Sequence, residues 1–219
     1  MKAKISQSNE NGNNNAEKNV DNSLIINELK PILYGERYGN GRLNCPVCIV
    51  KGIAPEIVKK TTFGVLLAKL QTGDASNKEK ARALKAAYKN DKKGYDKAKQ
   101  NLNGFIFGDF KSRKDGDCLV YAALLCLDID GYDDPILAIF DLERLRKNPL
   151  VFAAWCSPSG CGLRVFVWTD ATPETHKPTY AALQTEFCAF LNLTTEKDKF
   201  PHMDKTTSNV SRLRSEERV

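Results

Sequence analysis

Two textures divide the apolar residues of this chain. From Gly104 onward, Phe105 to Phe110, Leu119 to Leu127, Leu150 to Trp155 and Leu163 to Trp168 are short apolar runs bounded by Gly, Asp, Ser or Pro. Strands buried on both faces have this pattern. Between the second and third runs, Ile136, Leu137, Phe140, Leu142 and Leu145 recur at helical spacing, and Pro178 opens another such stretch through Tyr180, Leu183, Phe187, Phe190 and Leu191. The order strand, strand, helix, strand, strand, helix predicts an α+β fold, a sheet with its helices on one face.

Upstream the texture is helical. The spacing of Ile57, Val58, Val65, Leu66, Leu67 and Leu70 predicts a helix from about Pro55, with Gly73 as its stop. Ser76-Asn-Lys-Glu79 is a capping-box pattern and opens a Lys- and Ala-rich helix to about Gln100. Ser23 to about Lys51 reads as a short helix (Leu24, Ile25, Ile26, Leu29, Ile32, Leu33) followed by a Gly-rich loop. Residues 1–22 are rich in Asn, Ser, Glu and Lys, with too few apolar groups to offset the entropy of ordering. The expected organisation is a disordered tail (1–22), a helical subregion (23–103) and an α+β core (104–219), the last two forming one compact domain.

Composition narrows the class. A chain of 219 residues, 42% hydrophobic and 27% charged, can bury one substantial core. No apolar run approaches the ~20 residues that span a bilayer, and the start lacks a signal-peptide pattern, so a cytoplasmic protein without membrane contact is expected. Seven cysteines fit reduced thiols better than a disulfide framework. Cys45-Pro-Val-Cys48 has the spacing of half a zinc site, but no second pair follows, and ordinary thiols are the favoured reading. A net charge of +6 suits a polyanion partner without requiring one.

The candidate chemistry starts at Leu124-Leu-Cys-Leu-Asp128-Ile-Asp130-Gly131, where an apolar strand ends in two carboxylates two residues apart. Strand alternation puts both on one face, where they repel unless a cation neutralises them; Mg²⁺ or Mn²⁺ is the natural oxygen-seeking choice. Plain strand-end polarity is the competing explanation. Ser157-Pro-Ser159-Gly160-Cys161-Gly162-Leu163-Arg164 follows between two predicted strands, either a phosphate-cradling loop with Arg164 as the cationic arm or an ordinary hairpin turn. Phe200-Pro-His-Met-Asp204 then supplies a third carboxylate, with Arg212 and Arg214 close behind in Ser211-Arg-Leu-Arg. His202 is adjacent, though a surface position is the favoured reading for it.

In this order the three elements resemble the archaeo-eukaryotic primase (prim-pol) superfamily, nearest the VirE N-terminal type of domain found in mobile-element and phage primase-helicase proteins. The resemblance spans roughly residues 55–219, with Leu102 to Phe110 matching the segment after the Lys-rich helix. Arg164 stands where that family usually has His, and family members usually continue past the position of Val219. The resemblance implies an RRM-like catalytic core, a mixed or antiparallel sheet with helices on one face. It also implies template-directed nucleotide incorporation by two-metal catalysis. Asp128, Asp130 and Asp204 would hold Mg²⁺ or Mn²⁺; Ser159, Gly160, Gly162, Arg164, Arg212 and Arg214 would bind the nucleoside triphosphate. DNA or RNA template and primer, and a helicase domain or subunit, are the implied partners. Lys92, Lys93, Lys97 and Lys99 could touch template backbone, although a solvated face is the favoured reading for them. A catalytically degenerate nucleic-acid-binding module is the main alternative. A glycosyltransferase, which also uses Asp-x-Asp, is disfavoured by the Ser-Gly turn and the downstream Asp-Arg cluster.

Overall fold

The fold was analysed in a computed structural model that describes residues 32–33, 41–51, 56–72, 83, 86, 88, 90–100, 102–196, 199, 201–205, 208–211 and 214–215. The predicted tail, the capping box at Ser76–Glu79 and Arg212 lie outside these residues. Among them, no helix is long and apolar enough to cross a membrane.

Among the described residues, ten strands form two sheets of antiparallel pairs. They are β1 (Ile32–Leu33), β2 (Pro46–Val50), β3 (Ile57–Thr62), β4 (Gly104–Phe110), β5 (Cys118–Tyr121), β6 (Leu124–Asp130), β7 (Val151–Cys156), β8 (Gly162–Trp168), β9 (His202–Met203) and β10 (Arg214–Ser215). The first sheet has the order β1-β7-β8-β6-β9 and the second β10-β4-β2-β3, with β5 paired to β4. Four helices accompany them among the described residues: α1 (Phe63–Thr72), α2 (Lys92–Lys99), α3 (Pro135–Leu145) and α4 (His176–Leu191).

Within the first sheet, β6-α3-β7-β8-α4-β9 is a β-α-β-β-α-β unit in which the first and third strands are central. Local chemistry fixes its helices. Asp134 caps α3 by accepting from Ile136 N at 2.8 Å, with Pro135 at the first turn. The chain leaves α4 through Asn192, whose φ of 61° ends the helix in the left-handed region. Odd-numbered β6 residues Leu125, Leu127 and Ile129 pack under α3 and α4 with Leu142, Tyr180, Phe187 and Met203. Even-numbered Leu124 and Cys126 face the other way, joining Trp155 and Phe166 in a core shared with Val47, Phe105 and Phe107 of the second sheet. Phe63, Leu66 and Leu67, at i, i+3 and i+4 of α1, complete that core. The helices α3 and α4 cover one face; the second sheet and α1 cover the other.

The predicted core elements β4, β7, β8, α3 and α4 appear at or within two residues of their expected places. The expected single strand at Leu119–Leu127 is two strands, because Ala122 and Ala123 break the run and β5 pairs with the second sheet, β6 with the first. The region read as a helical subregion carries strands as well. Ile57-Val-Lys-Lys-Thr-Thr62 is β3, a β-branched run whose backbone pairs with β2, so the expected helix begins only at Phe63. Pro46–Val50, expected in a loop, is β2, and Ile32–Leu33, expected in a helix, is β1. The Lys- and Ala-rich helix is interrupted at Asp91, whose side chain accepts from Gly94 N at 2.9 Å and starts α2 afresh. β4 pairs with β2, so the second sheet draws on both sides of the boundary expected at residue 103.

All seven cysteines are free thiols. Cys45 packs in the core between the sheets and Cys48 in a small cluster on the opposite face of the second sheet, with Ile106 and Phe110. Two thiols on opposite faces do not chelate one ion, so the zinc half-site is not formed. Burial pushes the Cys45 thiol up to about 12.

Candidate active site

The even-numbered face of β6 changes character along its length. Leu124 and Cys126 are core residues, Asp128 comes next, and Asp130 ends the strand before Gly131, whose φ of 85° turns the chain away. Asp128 and Asp130 therefore stand on one face, as the alternation predicts, and it is the face turned away from α3 and α4.

Register identifies their neighbours, because residues directly opposite one another share a face. Asp128 is opposite Arg164 on β8, which in turn is opposite Trp155 on β7. In the adjacent row, Asp130 is opposite Gly162 on β8 and His202 on β9. The Asp128 and Arg164 side chains are 6% and 8% exposed, and they form an ion pair with Arg164 Nη1 2.9 Å from Asp128 Oδ1. The same nitrogen lies 4.0 Å from Asp130 Oδ1, a carboxylate 46% exposed. Trp155 stacks on Phe166 at 4.2 Å and closes the apolar end of the site.

Asp204 follows β9. Met203, opposite Ile129, is fully buried on the α3/α4 side, and Asp204 N donates to Asp128 O at 2.9 Å, which continues the register and brings Asp204 beside Asp128. From α4, Tyr180 Oη and Gln184 Nε2 donate to the Asp204 carbonyl at 2.9 and 3.4 Å. The Asp204 backbone is thus held by a strand on one side and a helix on the other.

The Ser-Gly turn serves packing. Gly160 N donates to Ser157 O at 2.8 Å, closing a turn with Pro158 second and Gly160 at φ 73°. Ser159 Oγ lies 2.9 Å from Ser157 Oγ and accepts from Cys161 N at 3.2 Å. The N–H groups of Gly160 and Cys161 are therefore bonded within the turn, and Ser157 and Ser159 are buried. Gly162 has a steric reason: a Cβ there would stand 2.8 Å from Ile129 O and 3.0 Å from both Asp130 Oδ1 and Ser157 Oγ. At the expected phosphate cradle of Ser159, Gly160 and Gly162 the chain bonds to itself through Gly160 N and Cys161 N, and Arg164 is the member of that motif that reaches the carboxylates.

The donor set fits a hard divalent ion in kind, two carboxylates on one strand face with a third in register. As the groups stand, Arg164 supplies the counter-charge to Asp128, and among the described residues no three His, Cys, Asp or Glu side chains converge closely enough to hold a metal. Arg214 stands opposite Phe105 at the edge of the second sheet, whereas the β6 carboxylates belong to the first. Ser211 joins that sheet's margin through Asp115, with its N and Oγ 2.9 and 2.5 Å from Asp115 Oδ1. The lysines of α2 give no support to template contact at this face. Tyr88, 4.9 Å from Tyr95 of α2 in a T-shaped pair, packs against the core on the α3/α4 side. His202 is the residue that sequence reasoning undervalued: it is buried and opposite Asp130. Its place two residues before Asp204, with Met203 between, was the available signal.

A family model described as the BT4734-like N-terminal domain matches residues 97–198, just under half of the chain. The match includes Asp128, Asp130 and Arg164 and stops short of His202 and Asp204. No curated protein and no solved structure matches the chain.

Proposed function

We propose that this chain is a nucleotidyltransferase of primase-polymerase type, adding nucleotides to a DNA or RNA primer-template with Mg²⁺ or Mn²⁺. The observation that carries the reading is the convergence of Asp128, Asp130 and the backbone of Asp204 at one corner of a β-α-β-β-α-β unit, on the face its helices leave uncovered. That connectivity is the one expected of an RRM-like core. Asp128 and Asp130 would hold the metal with Asp204 completing the set, aligning an attacking 3′-hydroxyl with the α-phosphate and stabilising the pyrophosphate that leaves. Arg164 would receive phosphate oxygens of the incoming nucleotide. A helicase domain or subunit of a mobile-element or phage replication system is the partner this role would require.

The Asp128–Arg164 ion pair favours a second reading, a nucleic-acid-binding module that keeps the sheet and has lost the chemistry. Incubation of the purified chain with a labelled primer-template, nucleotides and Mn²⁺ separates the two. Metal-dependent extension, abolished by Asp128→Asn, is expected. Template binding with no extension of either primer type would refute the enzyme and leave the binding module.

A further inference from the structure

We infer that Arg164 is a resident counter-ion which bars a divalent cation from Asp128 until a polyphosphate draws the guanidinium away, so that metal and polyphosphate enter the site together. The inference rests on the nucleotide-binding reading above and concerns the order and coupling of its ligands.

Charge and burial carry it. Asp128 and Arg164 are paired at 2.9 Å with both side chains more than nine-tenths buried. Arg is protonated at every accessible pH, so it competes for Asp128 permanently, as a neutral imidazole at this position would not. A metal ion arriving alone on Asp128 must displace the guanidinium or stand beside it. Displacement takes the guanidinium from its closest carboxylate where both side chains are more than nine-tenths buried, and losing the close partner of a buried charge is costly. On its β7 side Arg164 has Trp155, and along β8 Phe166, neither of which offers a carboxylate, while on its β6 side Asp130 is already 4.0 Å away. A polyphosphate removes both obstacles. Its oxygens accept the two-pronged guanidinium and also ligate the metal that takes over Asp128. Each ligand then strengthens the other, and by linkage the coupling is reciprocal.

The test uses the full chain near neutral pH. Binding of Mn²⁺ alone is measured from the electron paramagnetic resonance signal of the free ion, for the unaltered protein and for Arg164→Gln. With the guanidinium gone, Asp128 is a buried carboxylate lacking its cation, and Arg164→Gln should take up Mn²⁺ at least about tenfold more tightly, about 1.4 kcal/mol. Asp128→Asn added to Arg164→Gln should abolish the gain. In parallel, inorganic tripolyphosphate should bind the unaltered protein at least about tenfold more tightly with Mn²⁺ than with chelator, and Arg164→Gln should lose most of that difference. A folded Arg164→Gln that binds Mn²⁺ no better than the unaltered protein overturns the inference. So does equal tripolyphosphate affinity with and without Mn²⁺ in the unaltered protein, a measurement that stands even where the variant fails to fold. A chain that shows the coupling yet extends no primer refutes the polymerase reading and supports this one.

Discussion

The buried pair at Asp128 and Arg164 makes a quantitative prediction about stability. At 2.9 Å, with side chains 6% and 8% exposed, the direct attraction is about 6 kcal/mol at an effective dielectric near 20. Desolvating two ions costs several kcal/mol each, so the pair as a whole contributes little net stability. Removing one member is different, because the other stays buried and charged: Arg164→Met should cost about 3–5 kcal/mol. Asp128→Leu should cost less, since Asp130 Oδ1 already lies 4.0 Å from Arg164 Nη1 and can take up part of the charge. The double replacement Asp128→Leu with Arg164→Met removes both charges and keeps apolar volume beside Trp155 and Phe166. It should fall within about 2 kcal/mol of the unaltered protein. Urea unfolding in chelator, followed by the fluorescence of Trp155 and Trp168, gives the three values and a coupling energy of at least about 1 kcal/mol. If the two single losses simply add in the double variant, the ion pair is not the organising contact of this site.

Three further outcomes test other parts of the structure. Gly162→Ala should cost about 1–3 kcal/mol in the same unfolding assay, because the new methyl meets Ile129 O at 2.8 Å and neither strand can yield without opening the β6–β8 ladder. Asp91→Ala should cost about 1 kcal/mol and speed amide exchange in the first turn of α2, since the cap at Gly94 N is lost. Stability should decline above about pH 9, because burial raises Cys45 from 9.0 to about 12 and Tyr121 from 10.0 to about 12. Both groups are neutral when protonated and their folded values are raised, so their contribution is complete below the unfolded values and lost as pH rises through the folded ones. Cys45→Ala should flatten the pH 9–12 part of a stability profile, and an unchanged slope would refute the assignment.

What the sequence could reveal followed the range of the forces involved. α3 and α4 were legible because their apolar spacing, the Asp134 cap and the Pro135 start are local. β3 was not, because Ile57 and Val58 of a strand pooled with Val65, Leu66 and Leu67 of α1 into one apparent helical series. Only pairing with β2 separates the two. The common face of Asp128 and Asp130 came from strand period alone. Their partner did not: that Arg164 sits opposite Asp128 depends on the β6–β8 register, which a turn and a whole helix separate from the Asp-x-Asp segment. The same missing register hid His202 and the strand contact at Gly162, which left Ser159-Gly160-Cys161-Gly162 open between a phosphate-cradling loop and a hairpin turn.

The position of the site follows from the way β6 is shared. Its odd-numbered face is apolar to the end, since Ile129 still lies under α4 and against Met203. Its even-numbered face joins the apolar core shared with the second sheet as far as Cys126. Beyond that point three rows succeed one another across the strands: Cys126 with Phe166, then Asp128 with Arg164 and Trp155, then Asp130 with Gly162 and His202. Burial falls along this series, from a core thiol through a buried ion pair to a half-exposed carboxylate. A ligand approaching from solvent meets Asp130 before Asp128, so it meets the carboxylate that Arg164 touches more loosely first. An Asp130→Asn variant should therefore weaken capture of Mn²⁺ with tripolyphosphate present and leave the stability of the buried pair nearly intact, whereas Asp128→Asn should damage both. Titration of Mn²⁺ and urea unfolding on the same two proteins distinguish the roles. Equal loss of stability in both variants would mean that the two carboxylates form one buried unit and that the gradient along β6 has no functional order.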